Sequence, residues 1–166
     1  MTVNQVSMKK AFVILTMLGL VSSSAFCRKK DKEEQGADSQ QQTVISSASA
    51  TSHYSGSNCM SCHNGTDAFA FSIAGTLYDS TKTNVYAGGK VEIYSGANAQ
   101  GTLIVSLVSD KNGNFYTTEQ VNLSSGVYPS VKNMHGMMMH MPQPTTSGAC
   151  NSCHTQGGTA PPIWVP

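Results

Sequence analysis

Thr102-Leu103-Ile104-Val105-Ser106-Leu107-Val108, then Ser109-Asp110-Lys111-Asn112-Gly113-Asn114, then Phe115-Tyr116-Thr117, is the stretch that decides the fold. Its first part is a β-branched, apolar run with the length of a buried strand. Asn112-Gly113 marks a hairpin turn, and the aromatic pair opens the returning strand. The same pattern continues outward. Lys90-Val91-Glu92-Ile93-Tyr94 alternates, so Val91 and Ile93 face together. Upstream, Phe69, Phe71, Ile73, Gly75 and Leu77 fall on one side of an extended segment. Downstream, Val121, Leu123, Val127 and Val131 supply at least one more short strand, interrupted by Ser124-Ser125-Gly126. With no convincing helical stretch, this spacing predicts a mainly β fold, a small sandwich.

The chain has 166 residues, enough for one ordinary domain. Only 39% are hydrophobic and 11% charged, a balance that suits a polar, extracytoplasmic β domain better than a cytosolic helical enzyme. A formal charge of +1 without a dense basic face gives no support to nucleic-acid binding. The Asp110 turn is not a calcium loop. Its glycine falls at the fourth position where the sixth is needed, and Val121 stands where the bidentate Glu would be. No nucleophile triad, phosphate-binding glycine loop or paired carboxylates are apparent, so no enzyme is expected.

At the N-terminus, Met8-Lys9-Lys10 precedes an apolar run from Ala11 to Val21 and the small-residue segment Ser22-Ser23-Ser24-Ala25-Phe26-Cys27. A run this short cannot span a bilayer and reads as a secretory signal covering residues 1–26. From Arg28 to about Ser52 the chain is charged, then rich in Ser, Gln, Thr and Ala; residues 27–52 read as a flexible tether. The Cys27 context resembles a bacterial lipoprotein signal, which implies lipidation of Cys27 and anchoring at a membrane of the periplasm or cell envelope. Phe26 departs from the small residue of that pattern, and a cut after Ala25 would instead leave Cys27 as a free thiol. Without the signal the chain carries 8 Lys and Arg against 9 Asp and Glu, a net charge of −1.

Ser72-Ile73-Ala74-Gly75-Thr76-Leu77-Tyr78-Asp79, Gly89-Lys90-Val91-Glu92-Ile93-Tyr94 and Ser109-Asp110-Lys111-Asn112-Gly113-Asn114-Phe115 together resemble the carboxypeptidase-regulatory-like domain over about residues 71–132. That resemblance implies a Greek-key, prealbumin-like sandwich, usually a structural or adhesive module. The sandwich is expected over 69–132.

Chemistry is expected on either side of it, in residues 53–68 and 133–166. Cys59-Met60-Ser61-Cys62-His63 and Cys150-Asn151-Ser152-Cys153-His154 are two Cys-x-x-Cys-His motifs. This spacing lets two thiols bond a porphyrin while the adjacent His, here His63 or His154, meets the iron from the proximal side. The motifs resemble those of multihaem c-type cytochromes, which implies two covalent c-type haems on Cys59, Cys62, Cys150 and Cys153. All four Cys after Cys27 are used in them. The fold expected is therefore a sandwich flanked by two irregular haem-binding segments.

Distal ligands come from His53, His135, His140 or the Met residues of Met134-His135-Gly136-Met137-Met138-Met139-His140-Met141. The expectation is that His135 and His140 serve one haem each. His53 is the substitute, or ligates a haem of a neighbouring molecule in self-association. Three rivals stay open: a periplasmic Cu(I) site on residues 134–141, a Cys₄ zinc staple within a structural β module, and disulfide or thioredoxin-like redox pairs. The function expected is a membrane-anchored electron carrier whose partners are other cytochromes or redox proteins, with a dihaem peroxidase-type activity left open but unsupported.

Overall fold

The computed structural model describes residues 52–166. The expected signal, Cys27 and the tether up to residue 51 lie outside the described residues. Among those described, no helix is long and apolar enough to cross a membrane. They form seven strands: β1 (Ile73–Tyr78), β2 (Lys90–Gly96), β3 (Gln100–Val108), β4 (Asn114–Thr117), β5 (Tyr128–Lys132), β6 (Met138–His140) and β7 (Ile163–Trp164). These make a three-stranded sheet in the order β4-β1-β7 and a four-stranded sheet in the order β3-β2-β5-β6. The described chain is thus mainly β, with helix confined to two single 3-10 turns.

The deciding stretch folds as its chemistry dictates. The β-branched run becomes β3, antiparallel to β2 with Val91 opposite Leu107 and Ile93 opposite Val105. At the turn, Asp110 Oδ1 accepts from the backbone N–H groups of Asn112 (2.8 Å) and Asn114 (3.0 Å). Gly113 takes the left-handed φ of +73° that the reversal needs. Phe115, fully buried, then enters the core with Ile73 and Leu77, against Val91, Ile93, Val105, Leu107 and Val131 of the other sheet.

β1 departs from simple alternation. All six of its residues are buried. The face opposite the core is covered by the segments that carry the two Cys-x-x-Cys-His motifs, and Thr76 there bonds Gly56 before the first and Asn151 within the second. Phe69, expected on the same strand, precedes it and is 84% exposed.

Beyond residue 132 the chain completes both sheets. β6 pairs with β5, placing Met139 opposite Val131 and His140 opposite Ser130. β7 runs parallel to β1, with Leu77 opposite Ile163. The Met tract lacks the β-branched alternation that marks a strand, so its strand character comes from the β5 edge it pairs with.

Candidate functional site

Both motifs fold into the same device. Cys59–Ser61 and Cys150–Ser152 are each a single 3-10 turn. In each, the N–H of the second Cys and that of the His return to the carbonyl of the first Cys: 3.3 and 2.9 Å onto Cys59, and 3.3 and 3.0 Å onto Cys150. This turn brings two thiols and one imidazole to the same side of a short loop.

The His of each motif is then oriented in the same way. His63 Nδ1 lies 3.1 Å from the carbonyl of Phe69, and His154 Nδ1 lies 2.8 Å from that of Pro161. A carbonyl can only accept, so Nδ1 carries the proton and donates. Nε2 is left with its lone pair, the form in which imidazole binds a metal. Phe71 stacks on His63 with ring centroids 3.9 Å apart and 9° between planes, and Tyr116 stacks on Phe71 at 4.7 Å. The His63 ring therefore has both its edge and its face fixed.

Each motif opens on a cleft, and each cleft holds one further His. The first, about 390 Å³, is lined by Cys59, Cys62 and His63 together with His53, Tyr54, Phe71 and Tyr116. Asn114 Nδ2 donates to the His53 carbonyl (3.2 Å) and to Ser52 Oγ (2.9 Å), so β4 places His53 there. The His53 and His63 ring centroids are 6.3 Å apart. Their planes are tilted by 38°. The second cleft, about 260 Å³, is lined by Cys150, Cys153 and His154 with Val91, Met139, His140, Met141, Ile163 and Trp164. His140 Nδ1 lies 2.9 Å from Ser130 Oγ.

The structure therefore brings His53 to the first motif and His140 to the second. His135 is placed elsewhere, exposed in the turn between β5 and β6, with its N–H on Asn133 Oδ1 at 2.9 Å. Of the three expected distal candidates, His53 and His140 line the clefts, while the β5–β6 pairing carries residues 134–137, and His135 with them, to a hairpin tip. The same pairing splits the Met tract. Met139 and Met141 line the second cleft, whereas Met134 is 68% and Met137 53% exposed.

The thiols differ. Cys62 and Cys153 are exposed, while Cys59 and Cys150 are partly covered. Burial pushes the Cys59 thiol above its ordinary value. It pushes Cys150 up to about 12, with the neighbouring charge of Cys59 adding to the rise. Among the described residues, no three His, Cys, Asp or Glu side chains gather as a metal-ion site. The four motif Cys line two different clefts.

Sequence reasoning passed over Asn151, Thr76, Phe71 and Phe115 as site residues. Asn151 stands at a variable position of its motif, so only its burial to 3% exposure singles it out. Phe71 and Phe115 carried an apolar strand signal that says nothing about which imidazole or cleft they border. No family model, curated protein or solved structure matches this chain.

Proposed function

We propose that the protein is an extracytoplasmic c-type cytochrome with two covalent haems, tethered to a membrane through lipid on Cys27, and that it carries electrons between redox proteins. The observation that carries this reading is the duplicated device. Two Cys-x-x-Cys-His turns of equal geometry each present an Nε2 lone pair, and each faces a cleft that holds a second His. The donor set fits a haem: two thiols for the porphyrin edge, an oriented imidazole, and a second imidazole in the same cleft.

Cys59 and Cys62 would hold one porphyrin, and Cys150 and Cys153 the other. His63 and His154 would hold the irons from the proximal side, and His53 and His140 would be their distal partners. When bound, the haems supply iron that cycles between ferric and ferrous states. The chain's own residues do the rest. The Phe69 and Pro161 carbonyls fix each tautomer, Phe71 sets the plane of His63, and the apolar wall of Val91, Ile163 and Trp164 keeps water from one face of the second cleft. Imidazoles on both sides would close the irons and leave outer-sphere electron transfer as the chemistry, and no catalytic residue is assigned. His53 lies in its own chain's cleft, which favours a self-contained site over ligation of a neighbouring molecule. The sheets support a Greek-key, prealbumin-like sandwich, because the chain passes from β3 to β4 to β5 by changing sheet twice.

Copper on the Met tract is the second reading, favoured by the exposed thioethers of Met134 and Met137. Replacing all four motif Cys by Ala separates the two. The visible spectrum of protein made with the c-type maturation machinery should vanish with them, leaving no bound metal. Retained copper with no haem in the parent protein would reverse the assignment.

A further inference from the structure

Residues 63–149, 87 of them, separate Cys62 from Cys150, yet the second motif bonds the backbone just before the first. The Ser57 carbonyl accepts from Asn151 Nδ2 at 2.9 Å, a bond that involves no motif thiol. Asn151 lies inside the second motif, and Ser57 stands two residues before the first. Asn151 is 3% exposed and uses its whole amide. Its Oδ1 accepts from the Thr76 N–H at 3.0 Å, and its Nδ2 also donates to Thr76 Oγ1 at 2.9 Å. Thr76 Oγ1 in turn accepts from the Gly56 N–H at 2.9 Å. A second link runs from Thr155 Oγ1, just after His154, to the Gly56 carbonyl at 2.8 Å.

Two glycines make room for this junction. A Cβ on Gly56, whose φ is +83°, would come within 2.7 Å of Tyr78 Oη. A Cβ on Gly75 would meet Phe115 Cζ at 2.5 Å and Cys150 Cβ at 2.9 Å, so that ring and the Cys150 side chain converge over one point of β1. Phe115 also borders both clefts.

We propose that Asn151 is a positioning residue that registers the two haem-attachment turns against each other, so that the haems form one coupled pair. The inference rests on the dihaem reading above. Its mechanism is geometric: a buried amide with each hydrogen bond made is costly to disturb, and this one bridges β1 to both motifs.

The test is the bisignate Soret circular dichroism of the full chain matured with both haems, a signal set by the relative placement of two porphyrins. Asn151→Asp keeps the acceptor for Thr76 but loses the donor to Ser57. It should retain two haems while the couplet falls at least twofold, and Asn151→Ala should do the same. Thr76→Ser, which keeps the hydroxyl, should leave the couplet unchanged. An unaltered couplet in Asn151→Asp, or none in the two-haem parent, would overturn the role of Asn151. Haem content is counted separately, so a parent with no haem would instead overturn the dihaem reading.

Discussion

The cleft beside Cys59 mixes the aromatic Phe71, Phe115 and Tyr116 with Ser52, Asn58 and Asn114, whereas the cleft beside Cys150 sets Val91, Met139, Ile163 and Trp164 beside the same Phe115. The turn that presents the thiols and the carbonyl that orients the imidazole are common to both. What differs is the wall. The first cleft borrows β4 and the segment before β1, which set Phe71, Phe115 and Tyr116 beside the polar Ser52, Asn58 and Asn114. The second lies where β5, β6 and β7 converge, so its wall is continuous with the core. One attachment device can thus serve two environments, and environment is what tunes a haem once its ligands are fixed.

The largest expected effect breaks the pair outright. Cys59→Ala with Cys62→Ala, or Cys150→Ala with Cys153→Ala, should each lower the haem count from two to one in a haemochrome assay. Loss of neither haem in either variant would end the comparison. Next comes Phe115→Ala, which empties a buried site bordering both clefts. It should cost about 3–5 kcal/mol in denaturant unfolding; a cost below about 1 kcal/mol would mean the core does not extend there.

His53→Ala should turn only the first haem high-spin, and His140→Ala only the second, while His135→Ala changes neither spectrum. A spin change in His135→Ala would make His135 a distal ligand, as the sequence led one to expect. A finer effect concerns potential. A less polar wall disfavours the charged ferric site, so the second haem should titrate at least about 59 mV above the first, a tenfold one-electron difference. Equal potentials would show that the walls do not matter.

The smallest effect is in the haem-free protein. Cys150 stays protonated in the fold up to about 12, above its ordinary value of 9.0. The unfolded chain releases that proton first, so this contribution to stability is intact below the ordinary value and fades as pH rises toward the folded one. Alkylation should reach the exposed Cys62 and Cys153 before Cys150.

The strands and the two Cys-x-x-Cys-His motifs were legible because each is a local pattern: β2 by alternation, β3 by its β-branched run, the Asp110 turn by its glycine, and the motifs by fixed spacing. Which further His borders which cleft was not. His53, His135 and His140 look equivalent as letters, and only the β5–β6 register and the Asn114 bonds to Ser52 and His53 separate them. Asn151 was invisible for a similar reason, since its role depends on Ser57 and Thr76, both distant in sequence.

The most direct test is peptide mass mapping of the full chain after c-type maturation. One haem is expected on the peptide holding Cys59 and Cys62 and one on the peptide holding Cys150 and Cys153. Unmodified thiols, or disulfides within both pairs, would contradict it.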